Sequence, residues 1–133
     1  MADEFLFVYG TLRRDCGHQM HDAMLKYCHF YSMASMAGQL YEVNGYPGAI
    51  MTDDGSRVVG ELYRIVAPDN LFALLDDYEE CSPHYAKPHE FCRLKIATSM
   101  QTMQSVMAWC YLYKASTGHL RRIITGNYRD YLA

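Results

Sequence analysis

No Cys-x-x-Cys pair occurs among the five cysteines Cys16, Cys28, Cys81, Cys92 and Cys110, and their number is odd. Both facts argue against a disulfide framework and against a zinc ribbon, and leave reduced thiols. An excess of positive charge is missing as well: 12 Lys and Arg face 15 Asp and Glu, for a formal net charge of -3. Without the electrostatic footprint of a nucleic-acid binder, DNA and RNA are not expected partners. Long hydrophobic runs are lacking too. The longest, Val106 to Tyr113, covers eight residues, whereas a membrane-crossing helix needs about 20, so no membrane span is expected. The N-terminus places Asp3 and Glu4 where a secretory signal carries Lys or Arg, and the expected location is cytoplasmic. Internal repeats, low-complexity tracts and Ser/Gly linkers are absent. A chain of 133 residues suffices for one core and is short for two, so residues 1–133 are read as a single domain.

What the chain has in quantity is tyrosine and methionine, 12 and 9 residues respectively, side chains suited to a core and to the walls of a cavity for a small polar molecule. Glu4 to Tyr9 reads as a buried strand that stops at Gly10, followed by a polar loop from Thr11 to Gly17. His18 to Tyr27 sets Met20, Met24 and Tyr27 at helical spacing. The next stretch fits neither period until Gly38, and a strand is expected from about Ala37 to Val43. Asn44 to Gly48 is dense in turn residues, Ala49 to Thr52 reads as a brief strand, and Arg57 to Val66 as one buried on both faces. Pro68-Asp69 opens the clearest helix, with Leu71, Leu74, Leu75 and Tyr78 at i, i+3, i+4 and i+7. His89 to Ala97 and Gln104 to Tyr113 form an expected hairpin, and the tail is read with Arg121, Arg122 and Arg129 as surface charges. Strands outnumber helices and look mostly antiparallel, which gives an α+β class.

Two places could carry chemistry. At Tyr9-Gly10-Thr11-Leu12 a strand runs into a glycine, leaving backbone N–H groups free to receive a carboxylate or oxyanion, with the glycine admitting a ligand close to the main chain. The alternative is an ordinary loop. The second place is the acidic run Asp76, Asp77, Glu79 and Glu80 at the negative end of the clearest helix, where it opposes the helix dipole. On a wheel of about 100° per residue, Glu79 falls between Leu75 and Phe72, while Asp76 and Glu80 point away. Glu79 is therefore the carboxylate aimed at the core or a pocket, either as a general acid/base of raised pKa or as a hydrogen-bonded structural residue. Cys16, His18 and His21 suggest a metal only weakly, and Cys81 with His84 a thiol nucleophile still less; neither spacing matches a specific signature. No metal is expected.

Several separated segments resemble the γ-glutamylcyclotransferase-like superfamily in order. Phe7-Val8-Tyr9-Gly10-Thr11-Leu12-Arg13-Arg14 resembles its opening strand and substrate loop. Gly38-Gln39-Leu40-Tyr41 with Gly45-Tyr46-Pro47-Gly48 resembles its second region, and Val59-Gly60-Glu61-Leu62-Tyr63 its third. Leu75-Asp76-Asp77-Tyr78-Glu79, followed by Cys81, is similar to the acid/base motif of the γ-glutamylamine cyclotransferases and of small bacterial relatives, with the glutamate on Glu79. Two departures stand out: Lys87 where Arg is frequent, and Glu80 where a glycine often follows the glutamate. The resemblance implies a mostly antiparallel small β-barrel with a few flanking helices, and intramolecular attack of an α-amino group on the γ-carbonyl of a γ-glutamyl amine or amino acid. The products are 5-oxoproline and a free amine, and no cofactor is required. It also implies Glu79 as acid/base, the Tyr9, Gly10, Thr11 and Leu12 loop as substrate-binding, and Tyr85, Tyr111 and Tyr113 as cavity wall. The competing expectation is a non-catalytic binding or interaction module with the same fold and pocket. Because the implied reaction uses no protein nucleophile, Cys16→Ser with Cys81→Ser, or added chelator, is expected to leave turnover of a γ-glutamyl substrate within a few fold. A loss of several hundred-fold in folded protein would instead require a thiol or a metal.

Overall fold

A computed structural model describes residues 3–14, 16–85 and 87–132; residue 15 of the expected Thr11–Gly17 loop lies outside them. The elements run β1 (Phe5–Val8), α1 (Gln19–Met24), β2 (Cys28–Val43), β3 (Tyr46–Met51), β4 (Arg57–Ile65), α2 (Pro68–Tyr78), β5 (Phe91–Met100), β6 (Ser105–Tyr113), β7 (Arg121–Ile123) and α3 (Tyr128–Leu132). The sheet order is β3-β2-β4-β1-β6-β5, and a further β2–β5 pairing returns the last strand to β2. Five strands, β2, β4, β1, β6 and β5, thus close a mixed barrel, with β3 and β7 paired to the far half of β2. All pairings are antiparallel except β1 with β6, where Leu6 faces Trp109 in a parallel register.

The hydrophobic run of β1 is explained by burial on both faces. Phe7 and Tyr9 join Met36, Leu62, Ala108, Cys110 and Leu112 in the barrel interior, while Leu6 and Val8 pack outward with Met24 of α1 and Leu71 and Leu75 of α2. Alternation therefore sorts residues between two cores rather than between core and solvent. The same rule buries β4 from Gly60 to Tyr63 on both faces, and it seats Glu61 in a buried position that its neighbours must satisfy. At Gly60 an added Cβ would stand 2.3 Å from the Val8 carbonyl oxygen, so only glycine lets β4 lie this close to β1.

Three expectations change. β2 begins at Cys28, not near Ala37, and pairs with β4 from the start; a register shift between Phe30 and Ser32 breaks the alternation that would have revealed it. The turn residues are Asn44 and Gly45 alone, both at positive φ (51° and 89°), while Tyr46, Pro47 and Gly48 already belong to β3. Pro47 is tolerated there because β3 ends the sheet order, where its missing N–H breaks no ladder bond. Of the three tail arginines, Arg122 is half-buried and its Nη2 donates to Ser56 Oγ at 2.8 Å.

Gly10 has a packing reason that the sequence does not show. A Cβ there would meet the Pro47 ring at 2.3 Å. The glycine makes room for β3 as well as lying where the expected ligand loop begins. Gly10→Ala is accordingly expected to destabilise the fold by about 1–3 kcal/mol, the usual range for overpacking. A thermal melt with the alanine variant at the wild-type midpoint would show that the Pro47 contact yields freely.

Candidate active site

The loop that follows β1 is held from below by the buried carboxylate of Glu61. Glu61 Oε1 accepts from the Arg14 backbone N–H at 2.9 Å and from the Tyr63 hydroxyl at 2.8 Å, and the Arg14 guanidinium lies 3.4 Å from Oε2. Arg14 also sits over the Phe30 ring at 3.8 Å, and the buried Arg13 reaches Asn127 Oδ1 at 2.8 Å. Within this anchored loop the Arg13 N–H turns back to the Gly10 carbonyl at 3.0 Å. Among the described residues nothing takes up the N–H groups of Gly10, Thr11 or Leu12. Three backbone donors are therefore available at one place, an arrangement suited to an anion.

Helix α2 brings Glu79 to the same place. Thr11 Oγ1 and the Tyr78 hydroxyl are 3.0 Å apart, joining the loop to the last turn of the helix. The helix ends in a Schellman arrangement, with Cys81 N–H donating to the Asp76 carbonyl at 2.9 Å and Glu80 N–H to the Asp77 carbonyl at 3.1 Å. Glu80 occupies the left-handed position of that motif at φ 56°. This is the physical reason a glycine suits the residue after the glutamate, and a side chain there costs about 1 kcal/mol. Glu79, the C-cap, is largely buried; among the described residues its carboxylate has no hydrogen-bond or ion-pair partner. Burial pushes its pKa up to about 7. Burial raises the pKa values of Tyr9, Tyr78, Cys81 and Cys110, and the charge of Glu79 raises them further.

These parts face a cavity of about 580 Å³, within the usual size range for small-molecule sites. The β1 end contributes Phe7 to Leu12, and α2 with the segment after it contributes Tyr78, Glu79, Glu80 and Tyr85. His18, Tyr46, Pro47, Pro88, His89, Glu90, Phe91 and Tyr111 complete the wall. Every residue expected at the site is there except Tyr113. It shares a strand face with Tyr111, but two residues further along β6 it has passed the cavity, and it packs on Phe91 at 5.5 Å and beside Gly48. It lines a separate depression with Ile50 and Met51.

Two of the tyrosines reach the wall with their hydroxyls already engaged. The Tyr9 hydroxyl donates to the Tyr111 carbonyl at 2.6 Å and accepts from the Ala49 N–H at 3.1 Å. The Tyr111 hydroxyl donates to Asp76 Oδ1 at 2.5 Å. The wheel points Asp76 away, yet it is tied to Arg93 through Nε–Oδ1 at 2.9 Å and Nη2–Oδ2 at 3.2 Å. Arg93 in turn stacks 3.9 Å from the Phe72 centroid. The wheel fails at Asp76 because Arg93 and Tyr111 supply a polar niche on the sheet under the helix. It fails differently at Glu80, which lies past the helix end and is exposed yet borders the cavity.

His18, Tyr78, His89 and Glu90 carry no local signal and join the site through long-range packing. The His18 Nδ1 accepts from the Met20 N–H at 3.0 Å, capping α1, while Nε2 lies 3.5 Å from the Tyr78 hydroxyl. Nδ1 of His21 is 2.7 Å from the Leu12 carbonyl oxygen. Both imidazoles are thus engaged in holding the loop and helix. His84 meets Asp77 and Ser82, each at 3.1 Å, instead of the Cys81 thiol. Burial and Asp76 push that thiol up to about 12, so it is not activated as a nucleophile.

The γ-glutamyl cyclotransferase, AIG2-like family model matches residues 6–130. Among solved structures, an AIG2-like protein from Mus musculus is 22% identical with a TM-score of 0.71, the match covering 92% of this chain and 86% of that one. The protein ytfP from Escherichia coli is 27% identical with a TM-score of 0.65, covering 97% and 99%. A structure named as a gamma-glutamyl cyclotransferase is 14% identical with a TM-score of 0.62, covering 91% and 70%. No curated protein matches the chain with significance. The barrel agrees with these folds, and the family match spans β1, the loop, Glu79 and β6 together: the chain belongs to the γ-glutamyl cyclotransferase, AIG2-like family.

Proposed function

We propose that the protein is a cofactor-independent γ-glutamyl cyclotransferase that converts a γ-glutamyl amine or amino acid to 5-oxoproline and the free amine. The observation that carries this reading is the unpartnered Glu79 carboxylate, with its pKa near 7, on the same cavity as the free N–H groups of Gly10, Thr11 and Leu12. Family membership supports the reaction class.

The substrate's α-ammonium must lose a proton before its nitrogen can attack. Glu79 accepts that proton as a base matched to neutral pH. The α-nitrogen then bonds to the γ-carbon, and charge builds on the former carbonyl oxygen. One or more of the loop N–H groups stabilises the oxyanion or fixes the α-carboxylate, and either use holds the chain in its cyclising conformation. Collapse of the tetrahedral species breaks the bond to the departing nitrogen. Over the whole reaction two protons leave the α-nitrogen and two arrive at the leaving amine, which emerges as an ammonium. A single carboxylate that loads and unloads can serve both transfers.

Incubation with a panel of γ-glutamyl amino acids and amines, with 5-oxoproline as readout, is the direct test. Glu79→Gln is expected to lower kcat by roughly 10²–10⁴-fold while ligand binding persists. Binding without turnover by the wild type across the panel would leave the non-catalytic module as the better account. For the wild type, kcat/KM is expected to rise with pH through about 7, as Glu79 gives up its proton. A flat profile from pH 5 to 8 would remove Glu79 as the base.

The same burial predicts a stability effect of defined sign. The folded state raises the Glu79 pKa above that of the unfolded chain, so stability present below the unfolded value is lost as pH rises through about 7. Removing the charge therefore helps only at high pH. In denaturant melts Glu79→Gln is expected to stabilise the fold at pH 8 by on the order of 2–3 kcal/mol, and to change it little at pH 4. Equal effects at both pH values would contradict the buried charge.

A further inference from the structure

One stretch of the cavity wall is a chain of side-chain hydrogen bonds to which the reaction assigns no part. Nε2 of His18 lies 3.5 Å from the Tyr78 hydroxyl, and that hydroxyl lies 3.0 Å from Oγ1 of Thr11. All three residues line the cavity, and all three are half-buried. The His18 ring meets that of Tyr78 edge-on, with centroids 5.6 Å apart and planes at 68°. The polarity of the chain is fixed at one end. A backbone N–H can only donate, so the 3.0 Å bond from the Met20 N–H makes Nδ1 of His18 an acceptor. The neutral ring then carries its proton on Nε2, the nitrogen beside Tyr78.

That proton sets the direction of the next bond. The Tyr78 oxygen accepts from Nε2 and must send its own proton elsewhere, and Thr11 Oγ1 is its other hydrogen-bond partner among the described residues. A phenol is also a stronger donor and a weaker acceptor than an aliphatic alcohol. Burial raises the Tyr78 pKa, so the proton stays in place to be donated. Thr11 Oγ1 therefore accepts, and its own proton finds no partner among the described residues. Thr11 stands between Gly10 and Leu12, in the segment whose backbone N–H groups are equally unengaged. Bonds arranged head to tail in this way polarise one another, which makes the last hydroxyl a better donor than that of an isolated threonine.

We infer that His18 and Tyr78 are positioning residues, which orient the Thr11 hydroxyl as a side-chain donor to the anionic oxygen of the substrate, next to the backbone donors of the loop. The inference rests on the cyclotransferase reading for the identity of that oxygen, but the coupling among the three side chains can be measured separately.

The test takes the chain apart link by link, with the γ-glutamyl compound that the wild type uses best and 5-oxoproline as readout. Thr11→Val keeps the shape and removes the donor, Tyr78→Phe removes the bridging hydroxyl, and His18→Asn keeps a capping side chain on α1 while falling short of Tyr78. Thr11→Val is expected to lower kcat/KM by roughly 10–100-fold, the range for a hydrogen bond to a charged group, and Thr11→Ser to restore most of it. Tyr78→Phe is expected to cost about fivefold in the wild type but less than about twofold in Thr11→Val, because the two act as a unit. His18→Asn should likewise lose its effect once Tyr78 is Phe. Additive losses overturn the inference, since they are what Tyr78 donating directly to the substrate would give. Wild-type kcat/KM in Thr11→Val overturns it as well, and so does a loss that follows the thermal melt and is not rescued by Thr11→Ser. These outcomes leave the cyclotransferase reading standing. If no γ-glutamyl compound is cyclised, the reaction class fails, and calorimetry with the same compounds decides the donor: weakening by Tyr78→Phe that vanishes in Thr11→Val supports it, and unchanged or absent binding overturns it. Should Thr11→Val not fold, Thr11→Ala takes its place in every comparison.

Discussion

The Tyr9 hydroxyl is the contact on which the arrangement of the site depends. It gives its proton to the Tyr111 carbonyl and takes one from the Ala49 amide, so a single buried oxygen ties β1, β6 and β3 together at the mouth of the barrel. Both backbone groups lie where water does not reach, and leaving either unsatisfied costs roughly 1–3 kcal/mol. With the strand ends fixed, the chain leaving β1 has one route, over Pro47 and above Glu61. Gly10, Thr11 and Leu12 then line the cavity. Tyr9 belongs to the site mainly by holding its frame.

Helix α2 solves a related problem with opposite means. A carboxylate useful near neutral pH must be desolvated and must lack a cationic partner, and both conditions destabilise the fold. Glu79 meets them at the C-terminus of a helix, where the peptide dipoles also oppose its negative charge. The compensation lies one turn earlier. Asp76, with Arg93 and Tyr111, is a satisfied polar anchor whose oxygens are all engaged from the sheet side. Two carboxylates three residues apart thus have contrasting roles: one is saturated with donors and holds the helix end, and the other is kept without them.

Much of this is legible in the sequence where local pattern and final environment agree. β1 and β6 are readable as unbroken apolar runs of strand length, β4 and α2 because their apolar residues keep to their period, and Glu79 because the wheel turns it toward the face that Leu71 and Leu75 bury. The first half of β2 is hidden by its bulge, and Tyr46 to Gly48 by turn-like residue types that an edge strand tolerates. Asp76 and Tyr113 show another limit. Periodicity tells which way a side chain leaves its own element, but not what the neighbouring element offers it there. Arg93 gives Asp76 a reason to turn inward, and β3 covers Tyr113. His18, Tyr78, Glu90 and the anchoring role of Glu61 arise from contacts between segments far apart in the chain.

The parallel pairing of β1 with β6 also sets an order of events. The Tyr9–Tyr111 hydrogen bond spans 102 residues of chain, and closing so long a loop is slow because its entropy must be lost before the contacts form. During synthesis β1 emerges before β6, and although β4, α1 and α2 are made in between, its parallel neighbour is missing until residues 105–113 have been added. A nascent chain ending before β6 already contains the Gly10–Leu12 loop and Glu79, but without the closing strand the barrel mouth that brings them together cannot form. Synthesis of β6 and appearance of the cavity are therefore nearly the same step, and a translation product shortened before β6 would keep the chemical groups while lacking the vessel.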